Sequence, residues 1–239
     1  MISVCLATYN GEKYIKEQLL SILKQLDSSD EVIISDDHST DNTLEVIKSL
    51  DDSRIKIFVN NKEKGYTRNF ENALEKASGD IIFLSDQDDV WMDDKVKVCV
   101  EELDFSDFVV HDGNIVDGDL KMKDNSIFKF RNARKGFLVN FINIKYLGCC
   151  MVFKKSVLNK ALPFPKDQYL TTHDSWLTLV AEMYFKVSLI EKPLILYRRH
   201  GENTSLGGAS GTNSLLKKLE IRFYSLYHLI KIYFRGGNK

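Results

Sequence analysis

The sequence lacks any long apolar run and any excess of charge of one sign, and both absences restrict what the chain can do. No hydrophobic stretch approaches the roughly 20 residues that cross a bilayer. The formal net charge is -1, with 28% charged residues, so no basic surplus predicts a nucleic-acid partner. A strand pattern starts at Ile2, so we expect no leader peptide. We therefore expect the chain to stay in the cytoplasm.

Cysteine is scarce and internal repeats are absent. The four cysteines show no spacing of metal-ligand pairs, and this pattern fits a reducing compartment. A length of 239 residues suffices for one large α/β domain and a short appendage. We expect one domain over residues 1–205, made of halves 1–111 and 112–205. A linker and a helical tail are expected over 206–239.

Short apolar runs alternate with helix-period segments in the first half, which predicts βαβ units and a mostly parallel central sheet flanked by helices. Polar clusters follow the first, second and fourth predicted strands, beginning at Thr8, Asp36 and Asp86. Ligands bind at the carboxyl ends of strands in open α/β sheets, so we expect these clusters to converge on one crevice. The predicted strands cover residues 2–7, 31–35, 55–60, 81–85 and 108–111.

Three carboxylates, Asp86, Asp88 and Asp89, follow the buried-strand pattern of residues 81–84. Acidic groups packed at the end of a buried strand repel one another and raise each other's pKa, unless a cation compensates. Carboxylate oxygens suit Mg²⁺ or Mn²⁺, which keep open positions for phosphate oxygens. The stretch therefore predicts a site for a metal-bound diphosphate. The alternative is a solvated acidic turn that caps the next helix.

The second half is less regular. Residues 112–135 are polar and predict a loop-rich connection, while 148–153 predict a buried strand. A helix is expected over 173–182, with Asp174 in its first turn, where the helix dipole favours a carboxylate. The segment 201–213 is rich in Gly, Ser, Thr and Asn and predicts a loop or linker.

The tail over residues 215–234 has the pattern of a basic amphipathic helix. Its apolar residues fall within an arc of about 100° at 3.6 residues per turn. Two interpretations stay open. The apolar side packs on the domain or on a second copy in a homodimer, or residues 214–235 dock on an anionic membrane surface.

Four ordered blocks, at residues 7–11, 34–41, 64–69 and 86–88, resemble those of the family 2 glycosyltransferases. These are inverting nucleotide-sugar transferases of the GT-A type, and the resemblance runs from Ile2 to about residue 203. The amino-acid sequences of residues 84–91, 148–151 and 197–200 are most similar to those of bacterial rhamnosyltransferases of surface polysaccharide synthesis. The resemblance implies a domain whose first half binds the nucleotide sugar and whose second half binds the acceptor.

The resemblance also implies roles for the donor side. Thr8 and Asp37 match positions that hold a pyrimidine ring, and Asp86 matches the residue that binds ribose. Asp88 matches the ligand of a divalent Mn²⁺ or Mg²⁺ ion, and His200 matches a position that contacts the metal or the diphosphate. The alternative for His200 is a structural role. Arg68 matches a position that contacts a phosphate oxygen, and the alternative for it is a surface salt bridge. The candidate donor-binding residues are Thr8, Tyr9, Asn10, Glu12, Asp37, Arg68, Asp86 and Gln87.

On the acceptor side, Asp174 matches a catalytic aspartate, so it is expected to take the proton of the attacking hydroxyl. A helix cap is the alternative role for Asp174. For Trp91 and Trp176 the alternative is core packing, and for His173 it is local hydrogen bonding. The candidate acceptor-binding residues are Trp91, Cys149, His173 and Trp176.

The chain departs from the family in having no Gln-x-x-Arg-Trp block, which favours single-residue transfer over a processive polymerase. The best expectation is L-rhamnose moved from dTDP-rhamnose to a lipid-linked or oligosaccharide acceptor, on the inner face of the plasma membrane. A UDP-glucosyl or UDP-galactosyl transferase is the alternative. A non-catalytic nucleotide-sugar-binding subunit is a further one. A sugar-nucleotide pyrophosphorylase is disfavoured, because no Gly-rich phosphate loop follows the first strand.

Overall fold

The computed structural model describes residues 1–201 and 214–235. Its first half alternates strands and helices as the sequence periodicity predicts. Strand β1 pairs in parallel with β2 and β4, and β2 pairs in parallel with β3. These elements are β1 (Ile2–Thr8), α1 (Ile15–Leu23), β2 (Glu31–Asp36), α2 (Thr43–Lys48), β3 (Ile55–Val59), α3 (Tyr66–Leu74) and β4 (Ile81–Ser85).

The second half adds antiparallel pairs, so the whole sheet is mixed. Its elements are β5 (Val90–Trp91), α4 (Lys95–Leu103), β6 (Phe108–Val116), β7 (Met122–Asp124), α5 (Ile127–Arg131), α6 (Phe137–Ile142), a 3-10 turn (Gly148–Cys150), β8 (Met151–Lys154), α7 (Lys155–Ala161), α8 (His173–Tyr184), β9 (Val187–Arg198) and α9 (Leu215–Arg235).

The strand order β3-β2-β1-β4-β8-β6-β9-β5, with β7 paired to β6, decides where the strand ends meet. Strand β8 runs antiparallel to both β4 and β6, and β9 runs parallel to β6. The carboxyl ends of β1, β2, β4, β6 and β9 therefore share one edge of the sheet. The register aligns Thr8 with Asp36, and Leu6 with Ser85. This edge carries the polar clusters that the sequence singled out.

Two expected segments differ from the structure. Residues 112–135 contain the end of β6, β7 and α5, because buried Asp112 accepts hydrogen bonds from Ser126 and from the backbone of Phe128. A polar side chain with internal partners can lie in a buried strand. Residues 148–150 form a 3-10 turn, and the strand begins only at Met151. A loop was expected over residues 201–213, and a domain boundary was expected at residue 205. Residues 202–213 lie outside the part of the chain that the structure describes.

Helix α9 forms where the tail pattern predicts it, but its apolar arc faces solvent. Leu229 and Ile232 are buried against the domain, whereas Leu216 and Phe223 are 79% and 69% exposed. The interpretation that the apolar arc packs on the domain is therefore wrong. Within the described residues, no helix combines the length and the apolarity that a membrane-spanning segment needs.

Candidate functional site

Thr8 and Asp37 lie side by side at the ends of two neighbouring strands. The backbone N–H of Asp37 donates to the carbonyl of Thr8 at 2.9 Å. The Asp37 carboxylate accepts from Asn60 Nδ2 at 2.7 Å and from the backbone N–H of Gly65 at 2.8 Å. Gly65 has φ +129°, which side-chain-bearing residues rarely adopt. Asp37 is thus oriented by one donor on each oxygen, and each oxygen keeps acceptor capacity.

Gln87 joins the loop after β1 to residues 86–89, the acidic loop that follows β4. Its Oε1 accepts from Thr8 Oγ1 at 2.6 Å and from the backbone N–H of Tyr9 at 2.9 Å. Its Nε2 donates to the carbonyl of Tyr9 at 3.0 Å. The amide therefore positions the two loops, and it is not directed at a ligand. The Tyr9 ring is 50% exposed beside this bridge.

Asn10 and Glu12 lie at the rim. Asn10 Oδ1 accepts from the backbone N–H of Thr40 at 2.8 Å. Glu12 Oε2 accepts from the backbone N–H of Asn42 at 2.8 Å and from its Nδ2 at 3.0 Å. Both side chains tie the loop after β1 to the loop after β2. The structure does not bring them to the carboxylates of the acidic loop.

Asp86, Asp89 and Cys149 form a tight cluster, with one ligand-type atom of each within 4.8 Å of the others. Burial raises the pKa of Asp86 to about 7, and repulsion from Asp88 and Asp174 adds to this. Asp89 is fully buried, and burial raises its pKa well above the usual value. No donor within the described residues reaches Asp89 Oδ2. Without a cation, burial and mutual repulsion favour the protonated form of these carboxyl groups.

Asp88 and His200 meet across the site. His200 Nε2 lies 2.9 Å from Asp88 Oδ2, which joins the loop after β4 to the residues after β9. Burial raises the pKa of Asp88, and the hydrogen bond with His200 partly offsets that effect. The two residues expected as metal ligands are therefore adjacent.

Arg198 organises the acidic loop, a role that the sequence interpretation missed. Its backbone N–H donates to Asp89 Oδ1 at 3.0 Å, and its Nε donates to the carbonyl of Asp88 at 2.7 Å. The side chain is buried, and it also pairs with Glu17 of α1. The sequence did contain a signal, because residues 197–200 were part of the resemblance. Only His200 received a role there.

Asp174 lies in the first turn of α8 with one oxygen engaged. Its Oδ1 accepts from Thr172 Oγ1 and from the backbone N–H of Ser175, the latter at 2.7 Å. No donor among residues 1–201 and 214–235 bonds Oδ2. Asp174 lies close enough to Asp86 for its charge to raise the pKa of that residue. Gly148 lies beside it, where a Cβ would be 3.7 Å from the Cβ of Asp174.

The four expected acceptor residues are buried, and this corrects their assignment. Trp91 and Trp176 are each 1% exposed, and Trp176 Nε1 donates to the carbonyl of Ala161 at 2.8 Å. His173 stacks on Phe70 with ring centroids 4.1 Å apart. Cys149 is buried, and its thiol lies in the cluster with Asp86 and Asp89. These side chains are packed inside the domain and are not exposed to contact an acceptor sugar.

Arg68 is also corrected, because its donors are used inside the protein. Nη1 pairs with Glu71 Oε2 at 2.6 Å, and Nη2 donates to the carbonyl of Pro165 at 2.5 Å and to that of Lys166. Both charged side chains are buried. The structure therefore shows a buried ion pair, whereas the resemblance implied a phosphate contact and the alternative was a surface salt bridge. Glu71 lies three residues after Arg68, a spacing at which two side chains of one helix can pair.

Lys95 is a second residue that the sequence interpretation missed. It is fully buried on α4, its Nζ donates to the carbonyl of Cys149 at 2.9 Å, and Nζ lies 4.2 Å from the centroid of the Trp91 ring. Its charge lowers the pKa of Asp86, although burial still dominates. A buried ammonium beside a buried acidic cluster supplies part of the missing positive charge.

The donor set fits a hard divalent cation. Asp86 and Asp88 offer carboxylate oxygens with raised pKa values that a cation would lower. Asp88 and His200 lie outside the cluster of Asp86, Asp89 and Cys149, whose ligand-type atoms are the ones within 4.8 Å of one another. The Cys149 thiol does not fit. Soft thiolate ligands favour Zn²⁺ or Cu⁺, whereas Mg²⁺ and Mn²⁺ prefer oxygen ligands.

The fold and this strand-edge site are those of a nucleotide-sugar transferase, and sequence comparison agrees. The family described as Glycosyl transferase family 2 matches residues 3–162, and the chain belongs to this family. A dTDP-rhamnosyl transferase, RfbG of Shigella flexneri, is 32% identical over 227 residues, which is 90% of this chain and 78% of the relative. A UDP-Glc:alpha-D-GlcNAc-diphosphoundecaprenol beta-1,3-glucosyltransferase, WfgD of Escherichia coli, is 28% identical over 76% of this chain and 70% of its own.

Solved structures share the architecture. S. aureus TarS 1-349 in complex with UDP-GlcNAc matches with a TM-score of 0.73 and 21% identity, over 97% of this chain and 70% of that one. The mannosyltransferase PcManGT of Pyrobaculum calidifontis in complex with GDP-Man and Mn²⁺ matches with a TM-score of 0.57 and 22% identity, over 80% of this chain. That match spans 54% of PcManGT. The expected GT-A fold class and the family resemblance, including bacterial rhamnosyltransferases among the relatives, are confirmed.

Proposed function

We propose that this chain is a metal-dependent inverting glycosyltransferase that moves one sugar from a pyrimidine nucleoside diphosphate to an acceptor hydroxyl. One observation carries the proposal. The ends of β1, β2, β4 and β9 bring Thr8, Asp37, Asp86, Asp88 and His200 to one edge, with Asp174 close enough to raise the pKa of Asp86. This set of residues offers a binding site for the nucleobase, a metal site for the diphosphate and an acceptor for the proton of the attacking hydroxyl.

The nucleotide base is assigned to Asp37. Its carboxylate oxygens are held by Asn60 and Gly65 and keep acceptor capacity for the N–H of a uracil or thymine ring. A cytosine ring has no such N–H at the matching position, so it is rejected. The half-exposed Tyr9 ring is available to stack on the base. Asp86 is assigned to the ribose hydroxyls.

Asp88 and His200, with Asp86 beside them, would hold Mn²⁺ or Mg²⁺. A divalent ion bound there supplies positive charge against the departing diphosphate. Without it, the three carboxylates of the acidic loop would repel the diphosphate oxygens. Arg198 keeps the loop in shape through its bonds to Asp88 and Asp89.

Asp174 is assigned as the general base. The acceptor O–H gives its proton to Asp174 Oδ2, and the acceptor oxygen forms the new bond to the anomeric carbon. The bond from that carbon to the diphosphate oxygen breaks, and its electron pair leaves with the nucleotide. Attack opposite the leaving group inverts the anomeric configuration. The bonds from Thr172 and Ser175 fix Oδ1 and aim the carboxylate.

For the donor sugar we propose L-rhamnose from dTDP-rhamnose, supported by the 32% identity to RfbG. A UDP-glucose donor is the alternative, supported by WfgD, which is named for that donor. Two relatives are named for acceptors on diphosphoundecaprenol or PP-undecaprenol, which supports a lipid-linked acceptor at the inner face of the plasma membrane. We assign residues 1–111 to the donor and 112–205 to the acceptor.

The test is a thermal-shift screen followed by a transfer assay. Ligands that bind only the native state raise the melting temperature with the logarithm of their concentration over Kd. We expect dTDP and UDP to stabilise the protein in the presence of Mn²⁺, and CDP and ATP to do so far less. Release of dTDP from dTDP-rhamnose, or of UDP from UDP-glucose, is then measured with a lipid diphosphate acceptor.

Asp37→Asn is the informative variant for base recognition, because it replaces an acceptor oxygen with an amide. It should lose most of the stabilisation by dTDP and UDP. Asp119→Asn, on an exposed turn after β6, is the matched control. Stabilisation by ATP equal to that by UDP, or none by either pyrimidine diphosphate, would contradict the proposed function.

A further inference from the structure

Helix α9 presents an apolar surface to solvent. Its inner side is held to the domain, since Tyr184 Oη donates to the carbonyl of Leu229 at 2.8 Å and Arg222 Nη2 donates to the carbonyl of Ile142 at 2.8 Å. The opposite side carries apolar residues that are 45% to 79% exposed. This outer apolar face consists of Leu215, Leu216, Leu219, Phe223, Tyr227 and Ile230.

The outer apolar face continues onto α6. Leu138 and Ile142 are 70% and 73% exposed, and the bond from Arg222 to Ile142 joins the two helices. Proteins that stay free in water rarely expose an apolar patch of this extent. We therefore expect a binding partner to cover the exposed apolar residues of these two helices.

Basic residues border this surface. Helix α9 carries Lys217, Lys218 and Lys231 against a single acidic residue, Glu220, and both Lys218 and Lys231 are exposed. Apolar residues flanked by lysines match a bilayer with anionic headgroups, where each lysine adds attraction. A second copy of the chain fits less well. In a two-fold contact the face would meet itself, and the flanking lysines of the two copies would repel.

We propose that the outer apolar face and the exposed residues of α6 dock the protein on an anionic lipid bilayer. Docking also brings the acceptor side of the site to the lipid. Tyr224 Oη of α9 accepts from the backbone N–H of Asp167 at 2.8 Å, at the start of the loop that leads to Asp174. Tyr169 of that loop is 78% exposed. A sugar carried on a membrane lipid would arrive at this loop. That last consequence rests on the proposed function.

Sedimentation with vesicles tests the docking, using the full chain and phosphatidylcholine vesicles with or without phosphatidylglycerol. Leu216→Ser/Phe223→Ser should weaken binding at least about tenfold, because both side chains would otherwise enter the interface. The matched control is Phe105→Ser, which is exposed at 71% and lies between α4 and β6, outside the outer apolar face and outside α6. It should bind like the unaltered chain. Lys218→Glu/Lys231→Glu should weaken binding at least about tenfold on phosphatidylglycerol vesicles only.

Three results would overturn the docking proposal. They are no binding to phosphatidylglycerol vesicles, equal binding by Leu216→Ser/Phe223→Ser, and a solution dimer that the same variant dissociates. Stabilisation by dTDP or UDP is measured on each variant to show that the fold and the donor site are intact. Because that readout does not involve the vesicles, failure of docking and failure of the proposed function are told apart.

Discussion

Gly148 lies against the ring of His173, and a Cβ on Gly148 would be 2.7 Å from His173 Nε2. That ring cannot move aside easily, because it stacks on Phe70 at 4.1 Å. Gly148→Ala should therefore displace the start of α8, where Asp174 lies. Since a shift of about 1 Å can cost about 100-fold in rate, we expect kcat to fall about 10- to 100-fold. Donor stabilisation in the thermal-shift assay should persist. An unchanged kcat would show that Asp174 is not positioned through this contact.

Asp174→Asn should abolish transfer and leave donor binding intact. The amide cannot take the acceptor proton, but it can keep the hydrogen bond from Thr172. A loss of about 100-fold or more in kcat, with dTDP stabilisation unchanged, is the expected pattern. Asp119→Asn serves as the control. Loss of donor binding together with activity would mean that the base has been misplaced.

Asp86 should make the metal-free protein less stable as the pH rises. Its folded pKa is about 7, raised from 3.8 by burial first and then by repulsion from Asp88. The folded state thus holds a proton that the unfolded state has released, so stability declines as the pH rises from about 4 through about 7. Asp86→Asn should remove part of this decline, measured by melting temperature in EDTA.

Added Mn²⁺ should reverse the effect of pH, because it binds the ionised carboxylates. At pH 8 we expect Mn²⁺ to raise the melting temperature of the unaltered chain more than that of Asp86→Asn. The melting temperature in EDTA could instead rise with pH, equally in the unaltered chain and in Asp86→Asn. That result would contradict the assigned environment of Asp86.

Lys95→Met should move metal and donor binding to higher pH and lower the stability of the protein. Methionine fills a similar volume, but taking one charge out of a buried charged cluster costs stability, so the variant is assayed at a temperature where it is folded. The carboxylate cluster would lose a positive charge, so the pKa of Asp86 should rise further. We expect the acid limb of the activity profile to move to higher pH. Lys97→Met, at an exposed position of the same helix, should leave the profile in place.

Arg68→Met should lower stability, with little effect on donor affinity. It would leave Glu71 buried without its 2.6 Å partner, and breaking a buried pair costs about 3–5 kcal/mol. Urea unfolding measures this loss, and a dTDP titration at a temperature where the variant is folded measures affinity. A large drop in affinity with normal stability would restore the phosphate role that the sequence resemblance implied.

Local patterns predicted the strands well, because apolar runs such as residues 81–85 leave few other arrangements. They also predicted that Asp37, Asp86 and Asp88 share an edge, since parallel strands end together. The environment of a long side chain could not be predicted. Arg68 and Lys95 resemble surface residues in the sequence, and only tertiary packing shows that they are buried. The apolar arc of α9 was visible, but the side on which it faces depends on contacts such as those of Leu229.

The bonds from Arg198 to Asp88 and Asp89 join residues 110 and 109 positions apart. A ribosome therefore releases the acidic loop long before it adds the arginine that fixes the shape of that loop. Until β9 has been translated, the nascent chain holds its aspartates in an unfinished arrangement. A translation product that ends before β9 therefore lacks the donors that hold the acidic loop in shape.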